Sequence, residues 1–505
     1  FLAEWSGQDY YHIDPLSIDA SKVTQQMSYA FTQRHKIMAV GVTPAEVVIA
    51  SSQPFISSWE TDLEHVLRKP IKRVVANPVE LQKLTQELYQ LAASINSATS
   101  GGTSSNAPGI TNLEQMLELG SLKDPEANDQ HVVQIVDWLL QYAFEQRASD
   151  IHIEPRREVG NVRFRIDGVL YTVYQIPMQV MNAVTSRLKI LGRMNVAEKR
   201  RPQDGRLKTK SPKGNEVELR LSTMPTAFGE KMVMRIFDPD VLLKTFGELG
   251  FDDEDQSRWQ EMIQQKNGII LITGPTGSGK TTTLYSSLKT LATKEVNVCT
   301  IEDPIEMVES SFNQMQVQEN IDLGFADGVK ALLRQDPDII MIGEIRDLET
   351  AEMAIQSALT GHLVLSSLHT NDAPSAISRL LELGVPSYLI QATLVGVVAQ
   401  RLVRTLCPHC KQSATPNEDV WKAMTKPWNT TLPNQIYEPV GCIECRETGF
   451  KGRQGLYEVM PFTEALQGYA EEKGDLPKLR QQAYKEGMRS LKLSGAQKVA
   501  AGLTT

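Results

Sequence analysis

Gly274-Pro275-Thr276-Gly277-Ser278-Gly279-Lys280-Thr281 combines glycines, a lysine and a hydroxyl in a G-x-x-x-x-G-K-T pattern. The chemistry those types can do together is to hold a polyphosphate. The glycines let successive N–H groups curl around phosphate oxygens, the Lys280 ammonium reaches the outer phosphates, and the Thr281 hydroxyl can ligate Mg²⁺. Thr282 lies in the first turn of a helix whose positive end faces the same anion. The apolar run Gly268 to Thr273 before the loop and the helical pattern after it supply the context this motif requires. ATP and Mg²⁺ are the expected ligands.

Hydrolysis also needs acids. The apolar strand from Asp338 to Ile342 ends at Gly343-Glu344, where a carboxylate could polarise the attacking water or hold Mg²⁺ through its hydration shell. The competing reading of Glu344 is a surface carboxylate paired with Arg346. Glu302, Asp303 and Glu306 follow a second strand, Val296 to Ile301, and Glu302 is the one chosen for a water or metal contact. His362 and His369 bracket a third strand. They could report the γ-phosphate to the next helix or be structural, and the residues leave both readings open. In a parallel sheet these strand ends converge on the P-loop.

A separate chemistry resides in Cys407-Pro408-His409-Cys410 and Cys442-Ile443-Glu444-Cys445, two C-x₂-C pairs separated by 31 residues. Four thiolates in two such pairs suit a closed, tetrahedral, structural Zn²⁺ site. Disulfides are the alternative, disfavoured in a reducing compartment. Cys299, in an apolar strand, is expected in the core.

The chain that positions these groups has 505 residues, 41% hydrophobic and 22% charged, with a net charge of −9. It is too long for one core. No apolar run approaches the roughly 20 residues that span a bilayer, and the acidic balance argues weakly against a nucleic-acid coat. Clustered thiols and ATP chemistry point to the cytoplasm. Patterning divides the chain into a small α+β partner-docking domain (1–94), a Ser/Gly-rich flexible linker (95–128) and a second α+β domain (129–240). An α/β nucleotide-binding domain with a helix-covered parallel sheet (241–401), a cysteine module (402–461) and a helical C-terminal region (462–505) follow. In the second α+β domain arginines recur at alternating strand positions and in a Gly turn. A solvated basic face is the reading the pattern favours for any one of them; reaching the phosphates of a nucleotide held by the next domain is the other.

The P-loop, the acidic box Thr300 to Glu306, the stretch Gly343 to Asp347 and the histidine box Gly361 to His369 together resemble the GspE/PilB family, the ATPases of type II secretion and type IV pilus assembly. Ala148 to Pro155 and Pro202 to Arg206 extend the likeness into the preceding domain; the N-terminal segment matches more loosely. The resemblance implies a RecA-like motor domain preceded by a PAS-like domain, a homohexameric ring and ATP at the interface between those domains. On it, Arg220 and Arg235 correspond to arginines directed at phosphate, with Arg206 assisting. Arg334 also matches a family arginine, whereas Lys330 stands where relatives can have another arginine. Secretion and pilus-extension members carry a tetracysteine module that retraction members lack. The function expected is a cytoplasmic ATPase driving type II secretion through pseudopilus assembly. Pilus extension ranks second and a RecA-like nucleic-acid motor third. Inner-membrane platform and cytoplasmic docking proteins are the expected partners. Nucleic acid is not, because no basic and aromatic cluster suited to a single strand is found.

Overall fold

In the computed structural model the described residues are 2–13, 18, 20–100, 128–212, 214, 216–237, 244–428, 430–470 and 475–505. They form two compact units, Phe1–Asp238 and Pro239–Thr505.

The first unit contains two sheets. Strands β1 (Asp9–Tyr10), β2 (Ile37–Val42), β3 (Val47–Ser51) and β4 (Ile71–Val75) form a mixed sheet in the order β1-β4-β3-β2. Strands β5 (Asp150–Pro155), β6 (Val159–Ile166), β7 (Val169–Pro177), β8 (Gln203–Lys210), β9 (Glu216–Thr226) and β10 (Gly229–Phe237) form an antiparallel sheet ordered β7-β6-β5-β10-β9-β8. The Gln130–Glu145 helix starts where the Asp129 carboxylate accepts from the His131 N–H, an N-cap that satisfies one otherwise orphaned donor. Its buried Val132, Ile135, Val136, Leu139 and Ala143 lie on one stripe, the spacing of a core-facing helix. The Pro78–Ser100 helix buries Leu81, Leu84, Leu88 and Leu91 in the same way. These leucines and that stripe join one continuous core containing residues of both sheets. The helix continues past the expected domain end at 94; residues 101–127 of the expected linker lie outside the described residues.

The second unit is built on strands β11 (Gly268–Thr273), β12 (Val298–Glu302), β13 (Asn313–Gln316), β14 (Ile339–Ile342), β15 (Leu363–Leu368), β16 (Leu394–Leu406) and β19 (Phe450–Pro461). Their order is β13-β12-β14-β15-β11-β16-β19. All neighbours pair in parallel except β16 and β19. Every residue of β11, β14 and β15 is buried, as expected for strands covered by helices on both faces. A small pair, β17 (Gln412–Ala414) and β18 (Ile436–Glu438), lies in the segment between β16 and β19.

Here the structure corrects the expected boundaries. Strand β16 crosses the limit at 401, and β19, assigned to the cysteine module, completes the motor sheet. The reason is a long antiparallel ribbon in which Gly396 pairs with Pro461 and Leu406 with Phe450, a partnership between distant segments that local pattern does not show. The C-terminal helices are tied back by polar contacts. Glu458 accepts from the Ala373 and Leu491 N–H groups, at 3.0 Å each. Arg489 reaches Asp252 at 2.6 Å and the buried Asp255 at 3.2 Å. Among the described residues no helix is long and apolar enough to cross a membrane.

Candidate nucleotide site and cysteine cluster

Strand β11 delivers the P-loop at its carboxyl end, and the Lys280–Leu291 helix leaves from it. Gly279 at the helix N-cap has φ +89°, a conformation that favours glycine. Space restricts the loop at Gly274, where a Cβ would lie 2.5 Å from the backbone carbonyl of Gln400. Lys280 Nζ donates to the Gly274 carbonyl at 2.8 Å and to that of Pro275 at 3.3 Å. The N–H groups of Gly277, Gly279, Lys280 and Thr281 have no protein acceptor among the described residues. Ser278 Oγ is buried without a partner. Free amides at a helix N-terminus, an unpaired buried hydroxyl and an ammonium are the donor set of a phosphate site, so these residues fit ATP. Thr281 is exposed at the helix start, where its hydroxyl could ligate Mg²⁺.

Glu344 follows β14 and is gripped from two sides. Arg346 Nη2 donates to its Oε1, and His369 Nε2 lies 3.1 Å from its Oε2. Burial pushes this carboxyl up, but Arg346 and His369 outweigh it and hold the group below the ordinary carboxylate value. Lys280 is also shifted down, but here burial is the cause and disfavours the charged form, partly opposed by the Glu344 charge. The expected pairing with Arg346 is present, and Glu344 also stands within electrostatic reach of the P-loop lysine.

The other nominated residues divide. His369 arrives at the site with the end of β15, and Thr273 Oγ1 accepts from the Thr370 N–H at 2.7 Å, tying that loop to β11. His362 does not arrive. Gly268 at the start of β11 donates to the His362 carbonyl, whereas Gly274, just past its end, donates to Leu368, so His362 lies at the opposite end of the strands from the P-loop. Its Nδ1 lies 2.9 Å from the Ser357 carbonyl. Six strand residues, about 20 Å, separate it from the P-loop of its own chain. Glu302 is 3% exposed and accepts from Tyr285 and Thr300 at 2.6 Å each, from Gln314 at 3.2 Å and from the Glu306 N–H at 3.4 Å. Its oxygens are therefore engaged by the protein. Lys330 bridges Asp327 and Glu349 at 3.2 Å each.

In the first unit the three nominated arginines occupy one line across the sheet. Arg206 pairs with Arg220, Arg220 with Arg235, Arg235 with Asp150, and Asp150 with Arg165. Directly opposed residues share a face, so this is a row of four guanidiniums interrupted by one carboxylate. Asp150 takes Arg235 Nε at 3.1 Å and Glu218 lies 3.5 Å from Arg206. Arg220 has no partner among the described residues.

The four cysteines meet although two strands and a helix intervene between the pairs. Cys407 and Cys442 Sγ are 3.8 Å apart, Cys410 and Cys445 3.7 Å, Cys442 and Cys445 3.7 Å. Sulfurs about 2.3 Å from a central ion in a tetrahedron are about 3.8 Å from one another, so the cluster fits such an ion. Cys299 is buried in β12 as expected.

The family model for type II/IV secretion system proteins matches residues 125–505. The chain belongs to that family. A second model, the MshEN domain, matches residues 6–95, giving the N-terminal sheet a family of its own that the residue pattern did not reveal. Similar relatives include the type IV pilus assembly ATPase TfpB of Acinetobacter baylyi, 56% identical over all of this chain and 86% of the relative. The type II secretion system protein E of Pseudomonas aeruginosa is 41% identical over 78% of this chain and 77% of its own. A crystal structure of the pilus retraction motor PilT with ADP matches with a TM-score of 0.51 and 26% identity, over 74% of this chain and 93% of PilT. The type II/IV secretion protein described here is thus a P-loop ATPase with a RecA-like fold. Its relatives come from both machines, and the 56% relative favours pilus assembly over the secretion role expected first.

Proposed function

We propose that the protein is the ATPase of a type IV pilus assembly machine, working as a cytoplasmic homohexamer at an inner-membrane platform. The 56% identity to a pilus assembly ATPase along the entire chain carries this choice over type II secretion, which becomes the second reading because secretion relatives are also similar. Lys280 and the P-loop amides hold the phosphates, and Thr281 holds Mg²⁺, which neutralises phosphate charge when bound. Glu344 orients and deprotonates water, with Arg346 and His369 fixing its carboxylate. Arg220 and Arg235, assisted by Arg206, present their row to phosphate. The cysteine cluster holds a structural Zn²⁺. Glu302 acts through the fold, anchoring Tyr285 of the P-loop helix.

The test is genetic. A strain lacking the gene is complemented with wild type or Glu344→Gln, and surface pili and secreted proteins are counted. Wild type restores pili and the variant does not, with secretion unchanged throughout. Loss of secretion with normal piliation would return the assignment to type II secretion.

A further inference from the structure

Strand β16 flanks β11 on the side opposite β15, with Thr273 aligned to Ala399. The next residues are Gly274 on one strand and Gln400 and Arg401 on the other, so the P-loop opens beside β16. Arg401 Nη1 would lie 3.1 Å from a Cβ built on Gly274. It donates to the Gln400 carbonyl at 3.0 Å, and Nη2 donates to the Asn371 backbone and side-chain oxygens at 3.1 and 3.2 Å. All three acceptors are neutral. Nε–H and the second Nη1 hydrogen have no acceptor, and no carboxylate pairs with Arg401 among the described residues.

A partly buried guanidinium without counter-charge is costly unless a ligand supplies one. Lys280 is in the same position, bonded only to carbonyls. Its proton affinity is lowered first by burial and also by the Arg401 charge, so the two cations repel across the loop. The nearby carboxylate, Glu344, is already held by Arg346 and His369.

We propose that Arg401 is a phosphate-binding residue of the nucleotide site, a second cation placed along the polyphosphate beside Lys280. Asn371, in the loop after His369, holds the guanidinium from the far side. Its planar fork is pre-organised to meet phosphate oxygens. This rests on nucleotide occupying the P-loop.

The experiment measures equilibrium binding of ATP, ADP, AMP and inorganic pyrophosphate to the full chain and to Arg401→Gln, Arg401→Met and Lys280→Ala. Both Arg401 variants should weaken ATP, ADP and pyrophosphate about ten- to hundredfold, the range for a hydrogen bond to a charged group, and leave AMP within about twofold. Arg401→Met retains the aliphatic stem and its packing, so it carries the comparison if Arg401→Gln does not fold. Unchanged ATP and pyrophosphate affinity would overturn the proposal, as would an equal loss for AMP, which would mean a collapsed loop. Lys280→Ala separates the premise: if it binds ATP like wild type, the nucleotide is not in the P-loop.

Discussion

Glu344 has two basic neighbours and a lysine within electrostatic reach, and its carboxylate should be indispensable to turnover rather than to binding. Glu344→Gln is expected to lower kcat by about 10²- to 10⁴-fold, the range for a lost general base, while ATP affinity in equilibrium dialysis stays near wild type. Arg346 opposes the effect of burial on this carboxyl. Removing it in Arg346→Ala takes away the larger of the two pulls that oppose burial, so the carboxyl titrates higher than in wild type and the acid limb of kcat moves to higher pH. A profile from pH 5 to 8 reads that shift, and an unmoved limb would refute it. At this scale Lys280, Glu344 and His369 were legible because each follows an apolar strand in a motif. Glu302 looked the same in one dimension; only the fold shows Tyr285, Thr300 and Gln314 closing over it. Gln400 and Arg401 carried no local signal, since their nearness to Gly274 comes from the pairing of β16 with β11.

Elements meet in this protein through a few buried polar groups, and these set its response to pH and metal. Burial pushes the Asp255 carboxyl from an ordinary 3.8 up to about 6, against the pull of Arg489. That is about 3 kcal/mol between its two protonation states. The folded chain keeps this proton while the unfolded chain releases it, so stability from this group is full below pH 3.8 and is lost as pH rises through about 6. The melting temperature of wild type relative to Asp255→Asn should therefore fall between pH 4 and 7. A pH-independent difference would exclude this. The cysteine cluster gives a second expectation: one Zn²⁺ per chain by elemental analysis, and Cys442→Ser or strong chelation lowering the melting temperature, because metal binding is coupled to folding. The C-x₂-C pairs and the strands of the sheet were legible from spacing and period. The ribbon joining β16 to β19 was not, because pairing across more than forty residues leaves no mark on either segment.

For the molecule as a whole, the first unit is the instructive part. The sequence divides it at a Ser/Gly-rich stretch, yet leucines of the Pro78–Ser100 helix and the apolar face of the Gln130–Glu145 helix belong to one core. Removing residues 1–95 should expose those apolar faces, lower the melting temperature of the remainder and raise its binding of a hydrophobic dye. An unchanged melting curve would show two independent domains. The arginine row in the same unit has a further consequence. Like charges directly opposed across a sheet repel, and Arg220 has no compensating partner among the described residues. Folding must press these guanidiniums together and hold them, as a latch holds a cocked spring. An anion settling on the row would relieve that repulsion, so whatever negative charge binds there would draw on work already done when the sheet closed.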